Sequence, residues 1–199
     1  MGNCFGPNKA ASTSVSGTSG GNKMDDVSSN IKAQLYVKQG KGKLRENYKI
    51  GKKLGEGGFG EVRLCKHISS GEARAVKYLK KDMLTHEDKE LILNEVRILS
   101  EMDHPNIVRL YEFYDEPAYY CLVQEVCSGG ELFDAIIKSG KFKESTARIL
   151  IKSMLSCINY CHGKGVVHRD LKPENILLEP DMDFNKMKII DFGTAIPYD

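Results

Sequence analysis

A glycine-rich segment, Gly55-Glu56-Gly57-Gly58-Phe59-Gly60, is followed by Glu61-Val62. Glycine has no Cβ, so the backbone amides of such a segment can approach phosphate oxygens that a side chain would hold away. The G-x-G-x-x-G-x-V pattern therefore predicts a loop that binds the phosphates of a nucleotide.

Glycine patterns of this kind also occur in dinucleotide-binding folds, so the residues that follow must decide between two interpretations. A dinucleotide-binding fold needs a helix directly after the glycines and an acidic residue about 20 positions further on. Here Val62-Arg63-Leu64-Cys65 alternates as a half-buried strand does, and the residue 20 positions beyond Gly57 is Lys77. The sequence therefore argues against the dinucleotide-binding interpretation.

Lys77 ends the short strand pattern Ala73-Arg74-Ala75-Val76-Lys77. A lone lysine is most often a surface residue whose aliphatic stem lies along apolar neighbours. Glu95, however, falls on the apolar stripe of the following helical segment, where an unpaired carboxylate would be costly. We therefore expect an ion pair between Lys77 and Glu95 that directs the ammonium group towards the α- and β-phosphates.

Two further motifs follow, His168-Arg169-Asp170-Leu171-Lys172-Pro173-Glu174-Asn175 and Asp191-Phe192-Gly193. Together with the glycine-rich segment and Lys77 they make four motifs in a fixed order. In this respect the chain resembles the eukaryotic protein kinases, and the resemblance covers residues 48–199.

The resemblance implies roles for the residues of these two motifs. Asp170 would orient the hydroxyl group of a protein substrate and accept its proton, while Asn175 and Asp191 would hold Mg²⁺ ions with the phosphates of ATP. Lys172 matches the serine/threonine branch, in which this lysine contacts the transferred phosphate. Arg169 is similar to the arginine of kinases that are controlled by charge in the activation segment. The implied catalytic residues are thus Asp170, Lys172 and Asn175.

The segment Leu122-Val123-Gln124-Glu125-Val126-Cys127 resembles the hinge whose backbone pairs with adenine, with Gln124 at the gatekeeper position. Glu131 matches a residue that contacts ribose and basic substrate residues, although an acid is equally favoured in the first turn of a helix. The ATP-binding residues implied by the resemblance are Leu54, Gly55, Glu56, Gly57, Gly58, Phe59, Gly60, Glu61, Val62, Ala75, Lys77, Glu95, Gln124, Glu125, Cys127 and Glu131.

Within the kinases, three segments are similar to the calcium-dependent protein kinases of the calmodulin-regulated branch: 102–108, 127–134 and 160–162. The beginning of the chain, residues 1–7, resembles the N-termini of the same family. The sequence contains no calcium-binding loop of the D-x-D-x-D-G type, so calcium or calmodulin-type regulation is expected only by analogy.

The secondary-structure elements that position these residues are predicted to be mainly strands in the first part of the chain and mainly helices in the later part. Strand patterns lie between Tyr48 and Lys77 and at 107–114 and 119–125, and a helical pattern separates the two groups at 91–102. From residue 128 the chain is mainly helical, with one apolar stripe from Ala147 to Cys161. This order predicts an α+β fold in two lobes, with the N-lobe and hinge at 48–127 and the beginning of the C-lobe at 128–199.

Residues 1–47 are rich in Ser, Thr, Gly, Asn and Lys, and we expect them to form a disordered tail. From Ile31 to Arg45 there are five basic residues and no acid. Such a run is either a solvated linker or a segment that faces anionic lipid or a partner.

The first residues of the tail carry possible acylation sites. Gly2 would be myristoylated after removal of Met1, although Gly6 stands where Ser or Thr is usual. One myristoyl chain binds membranes only marginally, so palmitoylation of Cys4 would supply a second signal. Two interpretations stay open for this cytoplasmic protein: an acylated N-terminus that contacts membranes, or a mobile, cytosolic start to the chain.

The overall composition excludes several other classes of protein. A net charge of +2 gives no reason to expect a nucleic-acid partner, and no apolar run approaches the ~20 residues that cross a bilayer. The six cysteines have irregular spacing, and no secretory segment precedes them, which indicates reduced thiols inside a cell. A metal site at Cys157, Cys161 and His162 would need a second pair of ligands, which the sequence does not offer.

Compared with the kinases it resembles, the chain ends early, six residues after Gly193. We therefore expect apolar side chains of the 147–161 helix to be exposed. Two functional interpretations stay open on the sequence alone. One is a fragment of an ATP-dependent kinase of protein serine and threonine residues, and the other is a non-catalytic nucleotide-binding or interaction fragment.

Overall fold

The computed structural model describes residues 37–40 and 42–198, which form a six-stranded sheet followed by a mainly helical part. The strands of the sheet are β1 (Lys38–Gln39), β2 (Tyr48–Gly57), β3 (Gly60–His67), β4 (Ala73–Lys80), β5 (Leu110–Asp115) and β6 (Tyr119–Gln124). Their order is β1-β5-β6-β4-β3-β2, and every neighbouring pair is antiparallel except β1 with β5. The predicted α+β fold class is confirmed.

Four helices and two small sheets complete the described fold. The helices are α1 (Leu44–Asn47), α2 (His86–Glu101), α3 (Leu132–Ser139) and α4 (Glu144–Gly163). The small sheets pair β7 (Val166–Val167) with β10 (Ile196–Pro197), and β8 (Ile176–Leu177) with β9 (Lys188–Ile189). Short 3₁₀ turns occur at Lys81–Met83, Pro173–Asn175 and Phe184–Lys186. None of the helices described is long and apolar enough to cross a membrane.

Helix α2 begins at a capping box. The Thr85 hydroxyl accepts a hydrogen bond from the Asp88 amide at 3.1 Å, and the Asp88 carboxylate accepts one from the Thr85 amide at 2.9 Å. These two bonds satisfy backbone donors that the first helical turn would otherwise leave unpaired. The face of α2 that carries Ile92, Val96 and Leu99 is buried against the sheet, and Glu95 lies on that same face.

The expectation of a disordered tail as far as residue 47 does not hold for its last residues. Strand β1 lies parallel to the edge strand β5, and the Gly40 amide donates to the Phe113 carbonyl at 3.0 Å. Val37, 6 % exposed, belongs to the apolar core that includes the buried face of α2, whereas Leu44, 1 % exposed, belongs to a second cluster with Tyr114. We call residues 37–40 and 42–47 the N-terminal clamp, because its two ends join different clusters.

The clamp was not predicted because the tail is mainly polar. Its packing against the two clusters depends on the side chains of Val37 and Leu44 within this hydrophilic segment. The rest of the tail, including both predicted acylation sites at Gly2 and Cys4, lies outside the described residues.

The apolar stripe predicted for α4 is divided between two sides of the helix. Leu150 and Cys157 are buried with Cys161, but Ile151 is 49 % exposed and Leu155 is 60 % exposed. Consecutive helical residues point about 100° apart, so seven apolar positions within 15 residues cover more than one face. The expected exposure of apolar side chains on this helix is therefore found at Ile151 and Leu155.

Candidate active site

The glycine-rich segment forms the turn of the β2–β3 hairpin, with Gly57 opposite Gly60. A Cβ on Gly60 would lie 1.7 Å from the Tyr78 carbonyl oxygen, so close packing requires glycine there. A Cβ on Gly55 would have no neighbour within 4 Å, so contacts within the described chain give no reason for that glycine. Open space above Gly55 is what a backbone that receives a phosphate group needs. The Phe59 side chain packs against the apolar core.

The predicted ion pair between β4 and α2 is present. The Nζ atom of Lys77 lies 3.2 Å from Oε2 and 3.3 Å from Oε1 of Glu95, and the two side chains are 15 % and 3 % exposed. Burial acts to lower the pKa of Lys77, but the carboxylates of Glu95 and Asp191 outweigh it, so this pKa lies above its ordinary value. Burial raises the pKa of Glu95, and the Lys77 ammonium opposes that rise. Lys77 is therefore the firmly charged partner, while the charge of Glu95 depends on the pair.

Asp170 lies at the centre of a second group of side chains. Its Oδ2 atom is 2.6 Å from Nζ of Lys172, and Nδ2 of Asn175 donates both to this oxygen at 3.0 Å and to the Asp170 carbonyl at 2.9 Å. The hydrogen bond from Lys172 is the largest cause that holds the pKa of Asp170 below its ordinary value. Asp170 is therefore a carboxylate at neutral pH, and Asn175 fixes its direction.

His168 holds the loop of residues 168–175, which is called the catalytic loop below for its proposed role, and its motif in the sequence does not indicate these contacts. The ring is 5 % exposed, its Nε2 atom lies 3.1 Å from the Ile190 carbonyl oxygen, and its Nδ1 atom accepts the Asp170 amide at 3.3 Å. The ring also meets Phe192 edge-on, with 4.6 Å between centroids. One nitrogen donates and the other accepts, which suits a neutral imidazole, and burial lowers the pKa of His168 accordingly.

Two residues near the site have unusual backbone conformations. Arg169 has φ of 68° and Asp191 has φ of 61°, in the left-handed region that side chains other than glycine rarely adopt. Such strain persists only where surrounding contacts impose it, and it concentrates at functional sites. Gly193 follows closely, and a Cβ there would lie 3.3 Å from Oδ1 of Asp191 and 4.0 Å from Oε2 of Glu95. One oxygen atom of each carboxylate, Asp191 and Glu95, thus lies close to Gly193.

Asn175 and Asp191 supply the oxygen atoms that a magnesium ion prefers. The Asn175 side chain is buried and its Nδ2 atom is committed to Asp170, so Oδ1 is the end of the amide that suits a cation. The Ile190 amide, next to Asp191, donates to the Asn175 carbonyl at 2.9 Å and links the two segments. No group of three or more His, Cys, Asp or Glu suited to a metal lies within residues 37–40 and 42–198. Mg²⁺ commonly takes one or two protein carboxylates together with substrate phosphates, so the donor set fits that ion.

The hinge segment leaves the sheet where β6 ends. Gln124 is opposite Ala75 of β4, and the Glu125 side chain pairs with Lys188 at 2.9 Å while its amide donates to the Arg109 carbonyl. Because both its side chain and its amide are engaged, Glu125 would contact a base bound at this edge through its carbonyl oxygen. Burial raises the pKa of the Cys127 thiol to about 12.

Other predicted nucleotide contacts vary in exposure. Leu54 is 43 % exposed, Ala75 is buried, and Val62 is half-buried opposite Lys77. Glu131 lies at the N-terminus of α3, the place that both of its interpretations required.

Gly129 and Gly130, which precede α3, hold this part of the chain against the segment after β8, and this contact was not predicted from the sequence. Gly129 donates to the Leu178 carbonyl, and the Leu178 amide donates to the Gly130 carbonyl, both at 2.9 Å. A Cβ on Gly129 would lie 2.3 Å from the Glu179 carbonyl oxygen, and Gly130 has φ of 84°. The Gly-Gly dipeptide itself was the available signal for this close approach.

Comparison with known proteins identifies one family to which this chain is similar over most of its length. The family model described as "Protein kinase domain" matches residues 48–199. Calcium-dependent protein kinase 4 of Plasmodium berghei (strain Anka) is 43 % identical over 193 residues, 96 % of this chain and 36 % of that protein. Calcium-dependent protein kinase 4 of Arabidopsis thaliana is 43 % identical over 158 residues, 78 % of this chain and 32 % of that protein.

Calcium-dependent protein kinase 4 of Plasmodium falciparum (isolate 3D7) is 44 % identical over 173 residues, which are 86 % of this chain and 33 % of that protein. The chain therefore spans about a third of the length of these curated relatives. Since the family model covers residues 48–199 of the 199 in the chain, this chain belongs to the protein kinase domain family.

Proposed function

We propose that this chain carries the catalytic site of an ATP-dependent protein kinase that transfers phosphate to serine or threonine. The observation that carries the proposal is the convergence of Lys77, Glu95 and Asp191. Lys77 and Glu95 are paired at 3.2 Å, and carboxylate oxygens of Glu95 and Asp191 both lie close to Gly193. A buried cation that is paired with Glu95 and feels the charge of Asp191, next to a glycine hairpin, is an arrangement suited to polyphosphate.

The nucleotide would lie between the glycine hairpin and the catalytic loop. The backbone from Gly55 to Gly60 would cover the phosphates, and Lys77 would contact their oxygens while Glu95 holds its ammonium in place. Backbone groups of Glu125 and Cys127 would pair with adenine. These roles for the predicted ATP-binding residues agree with their exposure and hydrogen bonding.

Asp170 would receive the substrate hydroxyl. A carboxylate whose pKa is lowered is a weak base, so Asp170 would mainly orient the hydroxyl and take its proton late, as the oxygen bonds to phosphorus. Lys172, 2.6 Å from Asp170, brings positive charge to the place where the transferred phosphate would pass. Asn175 would hold Asp170 through Nδ2 and a magnesium ion through Oδ1, with Asp191 as the other ligand. Bound Mg²⁺ would neutralise the negative charge of the phosphates.

The test is transfer of labelled γ-phosphate from Mg-ATP to a basic serine peptide by the full-length protein. We expect Asp170→Asn to keep its affinity for ATP and to lose transfer, because the amide has the shape of the carboxylate but cannot take a proton. Asp82→Asn, the same chemical change at an exposed position of the Lys81–Met83 turn, is the control. Transfer by Asp170→Asn at the rate of the control would contradict the proposed role of Asp170, and no transfer by the wild-type protein would contradict the proposed function.

We also propose that acylation of Gly2 and Cys4 attaches the protein to membranes. The residue types at these positions support this, together with the basic run that follows at 31–45. Gly2→Ala in the full-length protein should release it from the membrane fraction, and Cys4→Ser should weaken retention. Unchanged fractionation of Gly2→Ala would contradict the proposal.

Regulation by calcium is proposed by analogy with the relatives, whose names call them calcium-dependent. We expect peptide phosphorylation by the full-length protein to fall when a calcium chelator is added in the presence of excess Mg²⁺. Equal rates with and without the chelator would contradict this regulation.

A further inference from the structure

Asn94 directly precedes Glu95 in α2, and its side chain reaches another part of the site. Its Nδ2 atom donates to the Ala195 carbonyl at 2.8 Å, and its Oδ1 atom accepts from Nη2 of Arg97 at 2.9 Å. Because consecutive residues of a helix point about 100° apart, one turn of α2 presents Glu95 to Lys77 and Asn94 to the segment after Asp191. The helix therefore contacts two functional segments at once.

The segment that Asn94 contacts is a closed turn, Phe192–Ala195. The Ala195 amide donates to the Phe192 carbonyl at 3.0 Å, and both residues are fully buried. On the side of the catalytic loop, Nε of Arg169 donates to the Thr194 carbonyl at 2.6 Å, and the Thr194 hydroxyl donates to the His168 carbonyl at 3.1 Å. The turn is thus held between the catalytic loop and α2, and Asn94 supplies the hydrogen bond from α2.

We propose that Asn94 is a positioning residue that fixes the Phe192–Ala195 turn to α2, so that Glu95 and Asp191 take their places together. The inference deepens the proposed function and rests on it, since it concerns the same site. Glu95 and Asp191 are both acidic and both lie close to Gly193, so their charges repel each other. Holding the two acidic side chains close together requires restraints on both α2 and the segment of Asp191. The Asn94 side-chain amide is a restraint that joins α2 to that segment.

The chemistry of this contact makes it sensitive to a small change. The Ala195 carbonyl accepts from a neutral amide, so Asn94→Asp would place a carboxylate oxygen against a carbonyl oxygen in a side chain of the same shape. The Ala195 carbonyl would lose its hydrogen-bond donor, which destabilises a buried acceptor, and repulsion between the two oxygen atoms would add to that destabilisation. The turn would then move away from α2, and Asp191 would move with it because it precedes Phe192.

The experiment measures ATP binding against Mg²⁺ concentration for the wild-type chain, Asn94→Asp and the control Arg97→Gln. The control removes the contact at the other end of the same amide and leaves the donor to Ala195 in place. We expect Asn94→Asp to need about tenfold more Mg²⁺ for half-maximal binding, while ATP binding in excess chelator stays as in the wild type. Arg97→Gln should match the wild type in both conditions. A general loss of stability would instead lower binding with and without Mg²⁺ alike.

A double-mutant cycle with Glu95→Gln tests whether the effect passes through α2. If Asn94 and Glu95 act together, Asn94→Asp should change the Mg²⁺ requirement much less in the Glu95→Gln background. An unchanged Mg²⁺ requirement in Asn94→Asp would overturn the inference. The inference would also fail if Asn94→Asp raised the Mg²⁺ requirement by the same factor in the wild-type and Glu95→Gln backgrounds. Should Asn94→Asp fail to fold, Asn94→Ala removes the donor without adding charge and is judged in the same way. These readouts are of binding, so absence of phosphate transfer would count against the proposed function alone.

Discussion

Glu95 of α2 and Lys77 of β4 join the helix to the sheet through an ion pair of 3.2 Å in which the carboxylate is almost completely buried. A carboxylate at such a position is tolerated only while its partner is present, because an isolated buried charge is strongly unfavourable. The pair therefore links the position of α2 to the stability of the fold and, through the proposed role of Lys77, to nucleotide binding. Removal of Lys77 should affect both properties.

We expect Lys77→Met to lower phosphate transfer by about 10²- to 10³-fold, the usual loss when a single stabilising group is removed from an active site. It should also destabilise the fold by about 3–5 kcal/mol at pH 8, because Glu95 loses its buried partner. Lys80→Met, the same change at an exposed position of β4, is the control for both measurements.

The loss of stability in Lys77→Met should depend on pH with a defined sign. Burial raises the pKa of Glu95 above its unfolded value, and removal of Lys77 takes away the ammonium that opposes this rise. A carboxyl group with a raised pKa contributes stability at low pH that is lost as the pH increases through its folded pKa. Denaturant unfolding of the variant should therefore show a smaller deficit at pH 5 than at pH 8. A deficit that is larger at pH 5 would contradict the assignment of Glu95 as the buried charge.

Glycines of the β2–β3 hairpin should respond differently to the same substitution. Gly60→Ala places a Cβ 1.7 Å from the Tyr78 carbonyl oxygen, so the hairpin must shift and the fold should lose about 1–3 kcal/mol. Gly55→Ala meets no atom beyond its chain neighbours within 4 Å in the part of the chain that the structure describes, so stability should change little while ATP affinity falls. Thermal unfolding and calorimetric ATP titration of the two variants check this. Equal ATP affinity in Gly55→Ala and the wild type would mean that phosphates do not approach this backbone.

The sequence predicted best those contacts in which both partners have a distinctive residue type. Glu95 was recognisable as a charge on an apolar stripe, and Lys77 as a cation after a strand, so their pairing followed. The bonds of His168 and Asn94 were not predictable in this way, because their acceptors are the backbone carbonyls of Ile190 and Ala195. A carbonyl is present at every residue and so leaves no trace in the sequence. These contacts become visible only when the fold brings the segments together.

The N-terminal clamp was missed for a different reason, and it gives a further prediction. A Cβ on Gly40 would lie 2.1 Å from the Tyr114 ring, so Gly40→Ala should displace the clamp from the edge of β5. We expect a loss of about 1–3 kcal/mol of stability and faster hydrogen exchange of β5 amides. Gly163→Ala at the end of α4, where a Cβ meets nothing within 4 Å, is the matched control. Equal stability of the two variants would show that the clamp contributes little to the fold.

The pairing of Lys172 with Asp170 predicts a pH dependence of phosphate transfer. The hydrogen bond from Lys172 is the largest cause that keeps the pKa of Asp170 below its ordinary value, so protonation of Asp170 should lower the wild-type rate only at a pH below the ordinary pKa of an aspartate. Lys172→Met removes that bond and leaves the bond from Asn175. The acid limb of kcat/KM for the peptide should therefore move to higher pH, in addition to a lower maximal rate.

Lys186→Met provides the matched control for this pH profile, because Lys186 forms an equally short ion pair of 2.6 Å with Asp181 in an exposed loop away from Asp170. Its profile should coincide with that of the wild type, measured at constant ionic strength with saturating Mg-ATP. The direction of the shift in Lys172→Met is the critical observation, because removal of a cation that stabilises the carboxylate can only raise the pKa of Asp170. An acid limb that stays in place would mean that Asp170 does not determine the pH dependence, and a limb that moves to lower pH would exclude the ion pair as its cause.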